Sequence, residues 1–133
     1  MKTVAIIPFE NLTPEPSLTQ EVNEAVREAV EGRLGLRLAG EASADAVVRG
    51  RVLRYESGIV AAMRPGDTVE VSLREIQLTV DVEITDQREG KTLWSRRGLT
   101  VLGQYRPGQE IEGRRTALQK LTSDIVDGAQ SQW

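Results

Sequence analysis

The sequence predicts an α+β fold, a two-layer sandwich with elements in the order β-α-β-β-β-β-α. Two amphipathic helices pack on one face of a mixed, mainly antiparallel sheet of four to five strands. Three observations predict it. Ile76, Leu78, Val80, Val82 and Ile84 alternate with Gln77, Thr79, Asp81 and Glu83, the period-two pattern of an antiparallel strand buried on one face. Val22, Val26, Ala29, Val30 and Leu34 recur at helical spacing near the start, and Leu118, Leu121, Ile125 and Ala129 do so near the end. Between those helices the chain reads as a meander. Its length of 133 residues suits one domain, residues 1–133, with a single core.

Each element has a local reason. Thr3 to Phe9 is an apolar run broken by Pro8, the mark of a short buried strand. Asn11 to Pro16 is a loop, held extended by Pro14 and Pro16. Ser17-Leu18-Thr19-Gln20 has the spacing of a capping box, and the helix after it runs to about Leu34, where Gly35 stops it. Glu21, Glu24, Arg27, Glu28 and Glu31 form its solvated face. Leu36 to Ala39 is a brief strand, and Gly40 to Asp45 a small-residue connector with room for one helical turn.

Three long strands follow. Ala46 to Ser57 places Val48, Gly50 and Val52 on one face and Arg49 and Arg51 on the other. Val69, Val71 and Leu73 lie out of phase with Ile76 to Ile84, which predicts a β-bulge near Arg74-Glu75. Asp86 to Gly90 is a hairpin loop, and Lys91 to Leu102 returns through Leu93-Trp94. Arg-Pro-Gly occurs at residues 64–66 and 106–108, each time as a type II turn at a strand end. The closing helix spans about Gln109 to Gln132, with Arg114, Arg115, Lys120, Asp124 and Asp127 on its polar face. Gly113 and Gly128 each weaken it by about 1 kcal/mol relative to Ala. The uncovered sheet face, carrying Arg49, Arg51, Asp81 and Glu83, is expected to be wet or to cover a partner.

Composition narrows the chemistry. There is no Cys and no His, which removes thiolate nucleophiles, Cys/His zinc sites and His-based triads together. Neither a phosphate loop nor a dinucleotide fingerprint is present, and the acids are spread along helix faces rather than clustered for a metal. Asp81 and Glu83 share a strand face, but Arg49 and Arg51 on the neighbouring strand are placed to neutralise them. The chain reads as a non-enzyme with no cofactor. A net charge of −3 argues against nucleic acid. That charge is uneven: Glu10 to Glu31 carries −5, Ala46 to Gly66 carries +3, and Lys91 to Arg106 carries +4. No apolar stretch approaches the ~18 residues of a membrane helix. The start, Met1-Lys2-Thr3, has no signal-peptide core, which fits a cytoplasmic chain or one whose leader has been removed.

Several stretches, in order, carry a family resemblance. Val4-Ala5-Ile6-Ile7-Pro8-Phe9-Glu10-Asn11-Leu12-Thr13, running on to Pro16, resembles the opening of the bacterial LptE lipoproteins of lipopolysaccharide assembly. Ala44-Asp45-Ala46-Val47-Val48-Arg49-Gly50 resembles the family's entry to its second long strand. Gly90-Lys91-Thr92-Leu93-Trp94 resembles its hairpin exit, and Asp124-Ile125-Val126-Asp127 with Trp133 its C-terminal helix. The resemblance implies a non-enzymatic plug and partner of the LptD β-barrel, lipid-anchored at the periplasmic face of the outer membrane. There it would help deliver lipopolysaccharide to the cell surface. Membrane association would run through a lipid on a Cys absent from this sequence. On this reading Arg49, Arg51, Arg54, Arg96 and Arg97 are the candidate contacts for lipid A phosphates or the barrel wall. A TolB-like or curli-assembly-like periplasmic domain that binds protein or peptide is the alternative, since those also open on Pro-Phe-Glu-Asn before a helix.

Overall fold

Strict alternation along one strand sets the architecture. The computed structural model describes residues 2–66 and 70–131. Six strands form one sheet: β1 (Thr3–Ile6), β2 (Glu10–Asn11), β3 (Arg37–Leu38), β4 (Ala46–Arg64), β5 (Glu70–Asp86) and β6 (Lys91–Tyr105). Helices α1 (Leu18–Arg33) and α2 (Glu110–Gln130) cover one face. The strand order is β3-β1-β4-β5-β6, with β2 lying beside β4. β1 pairs parallel with β3 and with β4, whereas β4, β5 and β6 form an antiparallel meander. The predicted order β-α-β-β-β-β-α holds, with the first strand ending at Ile6 and a further two-residue strand, β2, at Glu10–Asn11, where the sequence predicts the start of a loop.

The core lies between the sheet and the helices. Ile76, Leu78, Val80, Val82 and Ile84 of β5 are all buried and belong to one cluster with Leu18, Val22, Val26 and Val30 of α1. Ala117, Leu121, Ile125 and Ala129 of α2 complete it. Each large aliphatic side chain so buried contributes about 1.5–3 kcal/mol. Among the described residues no helix is long and apolar enough to cross a membrane.

Four local expectations are corrected. Ser17 builds no capping box: its backbone is already helical, and its hydroxyl donates to Glu15 Oε1 at 2.6 Å while accepting from Arg114. Gln20 instead donates to Glu24, one turn along. β5 runs unbroken through Arg74 and Glu75, which pair with Val60 and Ile59; its one extra residue against β4 is Ser72. The other single-residue irregularities lie in β4, between Val52 and Arg54, Glu56 and Ile59, and Val60 and Ala62, the last two facing Arg74 and Glu75. Val69 lies outside the described residues, as does Trp133. The third correction concerns length: β4 continues to Arg64 and β6 to Tyr105, so each strand runs up to its Arg-Pro-Gly turn. At the second turn Gln109 N–H returns to Arg106 C=O at 2.9 Å and Gly108 has φ +87°, the type II geometry. The first turn runs into residues outside those described.

The fourth correction is to the helix glycines. Gly113 and Gly128 are buried, and each lies under an aromatic ring of β6: Tyr105 fills the space beside Gly113, and the Trp94 indole that beside Gly128. Gly103 of β6 backs onto the Gly113 carbonyl, where a Cβ would collide with backbone. The residues that weaken α2 in isolation are the ones that let it approach the sheet.

Candidate functional site

The open sheet face is built by period-two strands. Arg49 stands opposite Glu83, and Arg51 opposite Asp81, in the β4–β5 register. Gly50, between the two arginines, leaves room on the core side for the Phe9 ring, which is buried there. Seating Phe9 brings the β1–β2 connection, with Ile7, Pro8 and Glu10, to the rim of the same face. Asn11 organises the chain just beyond: its Oδ1 accepts from Thr13 N–H at 3.0 Å and its Nδ2 donates to Glu15 C=O at 2.8 Å.

β6 supplies the other wall. Its register against β5 shifts between Val80 and Val82, where Arg97 and Gly98 stand against the single residue Asp81. Gly98 has φ +66°, a conformation that suits a residue without Cβ. The result is an open groove of about 520 Å³ lined by Arg49, Arg51, Arg96, Arg97, Asp81 and Glu83, among others. Glu10 is the third acid, so the groove carries four guanidiniums against three carboxylates.

Asp81 is the fixed point of this groove. Its Oδ1 accepts from Gly98 N–H at 2.9 Å, and its Oδ2 accepts from Arg51 Nη2 at 2.9 Å. The Gly98 amide above all, then the Arg51 guanidinium, hold its carboxyl below the ordinary aspartate range, against the opposing effect of burial. Arg51 is therefore committed to Asp81. Arg49 is not committed to Glu83, as the sequence suggested; it pairs with Glu41 of the connector, and Glu83 accepts from Thr85 instead. Arg96 and Arg97 form no ion pair within 4.0 Å among the described residues, and both are exposed.

Four of the five predicted site arginines thus come together, and Arg54 does not. The extra residue at Leu53 sets it opposite Thr79 on the open face, but it pairs with Glu56 on its own strand and lies outside the groove lining. Among the described residues no group of three or more acids could hold a metal.

A second polar cluster was invisible in the sequence. Arg114, expected on the polar face of α2, has a side chain only 11% exposed. Its Nη1 donates to Glu21 Oε2 at 2.7 Å and to Ser17 Oγ at 2.9 Å, and its Nε to the Tyr55 hydroxyl at 3.2 Å. The guanidinium also lies 5.3 Å from the centre of the Tyr55 ring. Burial opposes the charge, but the hydrogen bonds the guanidinium donates to Glu21 and Tyr55 outweigh it and raise the arginine's pKa. This cluster ties α1, α2 and β4 together. Glu110, one turn earlier on α2, lies 3.5 Å from Arg114 Nη2, but the hydrogen-bond partners Tyr55, Glu21 and Ser17 lie 59 to 97 residues away, and no local pattern announces those.

This helix-strand order is a fold shared with solved structures of bacterial proteins, some of them lipoproteins by name. The crystal structure of XCC0632 from Xanthomonas campestris superposes with a TM-score of 0.67 at 14% identity, covering 98% of this chain and 86% of that one. CT253 from Chlamydia trachomatis gives 0.61 at 12% identity, over 96% and 97%. Lipoprotein GNA1162 from Neisseria meningitidis gives 0.57 at 16% identity, over 98% and 99%. At these identities the likeness is one of fold. The chain belongs to the LptE lipopolysaccharide-assembly family, whose model matches residues 1–132. No curated protein matches it.

Proposed function

We propose that this chain is a non-enzymatic assembly factor that partners an LptD β-barrel in carrying lipopolysaccharide to the cell surface. It works as one domain, residues 1–133, at the periplasmic face of the outer membrane, held there by an N-terminal lipid. Membership of the LptE family supports the setting. A body seated in a barrel lumen needs a polar exterior, because large lumens are polar. The open sheet face, with Arg49, Arg51, Asp81 and Glu83 alternating outward, supplies one.

The observation that carries the lipid contact is the groove of Arg49, Arg51, Arg96 and Arg97. Arg96 and Arg97 hold charge that no carboxylate within ion-pair distance consumes, and guanidinium forks match phosphate oxygens. Lipid A phosphates are the anions this reading assigns to them, with Arg49 and Arg51 as the inner wall. Arg54 is the outlier of the set, already paired with Glu56. The test is lipopolysaccharide titration of the folded chain. Arg96→Ala with Arg97→Ala is expected to weaken binding about tenfold or more, from the loss of two charged hydrogen-bonding groups. Arg54→Ala is expected to change it little. If neutralising all five arginines left binding intact, the lipid contact would be wrong. Co-purification with an LptD barrel tests the partnership separately.

A further inference from the structure

The sheet ends on β6, and the outer edge of that strand has no backbone partner among the described residues. Its two halves differ. From Lys91 to Gly98 the strand has two irregularities against β5 and carries Lys91, Arg96 and Arg97, features that blunt an edge. From Leu99 to Tyr105 it pairs with Val80 to Arg74 without a break, and the run has neither a charge nor a proline. The alternatives are poorer templates: β3 has two residues, and the far half of β4 is interrupted by register shifts.

Leu99, Val101 and Tyr105 of this run enter the core, while Thr100, Leu102 and Gln104 remain exposed. Leu102, at 39% exposure, is the only large apolar side chain left outside along it. Beside the edge an open groove of about 530 Å³ separates β6 from α2, lined by Thr100, Leu102, Thr116, Gln119, Lys120 and Asp124 among others.

We propose that this edge is a self-association surface on which two copies pair antiparallel through Leu99–Tyr105, about a two-fold axis at Leu102, joining two sheets into one. The occupant is a second copy because the run is complementary to itself. An isologous contact sets residue i against j and j against i. With Leu102 opposite Leu102, Thr100 meets Gln104 and Val101 meets Gly103. No like charges oppose one another, and the exposed leucines cover each other. The neighbouring helix stripe carries Lys120 and Asp124 four residues apart, so an antiparallel copy of α2 brings Lys120 toward the partner's Asp124. A strand from a different protein finds no charge on this run to select it. The inference concerns the chain outside a barrel and stands apart from the lipopolysaccharide groove, which uses the other half of β6.

The absence of cysteine makes the register measurable with single substitutions. At a directly opposed antiparallel pair the Cα atoms lie about 4.5–5.5 Å apart, within disulfide reach. In the proposed register Leu102→Cys reaches its own copy. Thr100→Cys lies four residues away from its copy, about 13 Å, beyond that reach. Mild oxidation is expected to convert Leu102→Cys to a covalent dimer and leave Thr100→Cys monomeric at equal concentration. The unmodified chain should sediment toward twice its monomer mass as concentration rises. Leu102→Lys should restore the monomer with an unchanged circular dichroism spectrum. A chain that stays monomeric to about 1 mM, or Thr100→Cys linking as readily as Leu102→Cys, overturns the proposal. An edge that pairs only with a strand of another protein gives the first of those results.

Discussion

The indole of Trp94 occupies the space where a side chain at Gly128 would stand. The contact joins the start of β6 to the last turns of α2 and requires that Gly128 carry no Cβ. Gly128→Ala would gain about 1 kcal/mol of helix propensity. It is nevertheless expected to lower stability by about 1–3 kcal/mol, because the ring has to leave a packed site. Gly32→Ala in α1 is the matched control. Nothing lies within 4 Å of the added methyl there, so that variant is expected to gain the propensity term. Denaturant midpoints of the two variants should move in opposite directions.

Gly103→Ala is expected to be the more damaging change. Its Cβ would meet the Gly113 carbonyl and the Ala117 amide nitrogen, both backbone atoms of α2. A side chain can rotate aside, but a helix backbone moves only as a whole. A loss of about 3 kcal/mol or more is expected. A Gly103→Ala variant with the parent's thermal midpoint would show that α2 does not sit as close to β6 as described.

Arg114 tests whether the cluster joining the helices is structural. Arg114→Met keeps the aliphatic stem and removes every donor, leaving Glu21 and Tyr55 without their shared partner. The expected cost is about 2–3 kcal/mol. Glu21→Gln should cost less than about 1 kcal/mol, because that side chain keeps 34% exposure and solvent screens it. Urea denaturation of both variants measures the asymmetry, and equal losses would contradict it.

Asp81 predicts a pH dependence. Its folded pKa lies below its unfolded value, chiefly through the Gly98 amide. Stability from this group is therefore complete above about pH 3.9, the unfolded value, and is lost as pH falls through the folded one. Asp45, held down by the Lys2 and Thr3 amides, acts in the same direction. Thermal midpoints below pH 4 are expected to fall less steeply for Asp81→Asn than for the parent chain. Parallel curves would mean that Asp81 is not the group responsible.

What the sequence revealed follows from how far each signal reaches. Alternation in Ile76–Ile84 and the helical stripe at Val22, Val26, Ala29 and Val30 are set within one element, and both faces are as predicted. Arg49 and Arg51 were legible for the same reason. Arg54 was grouped with them by the basic charge of Ala46 to Gly66, and that charge does not show that it pairs with Glu56 on its own strand. The phase of β5 pointed to a bulge near Arg74 and Glu75, but the extra residues there belong to the partner strand β4, which a single strand's pattern does not contain. Gly113 and Gly128 were read as defects because propensity is a property of an isolated helix. Their use appears only when Tyr105 and Trp94 are brought against them.

The parallel pairing of β1 has a kinetic consequence. Thr3 and Asp45 meet across 42 residues, whereas β4, β5 and β6 are joined through turns between consecutive strands. Closing the long span costs chain entropy before any contact rewards it. The meander is thus expected to assemble first, with the amino-terminal strand slotting in late between β3 and β4. In pulse-labelling hydrogen exchange, amides of Val80 and Val101 should gain protection before those of Val4 and Ala5. For a chain that emerges amino end first, a strand made before the meander would be secured after it.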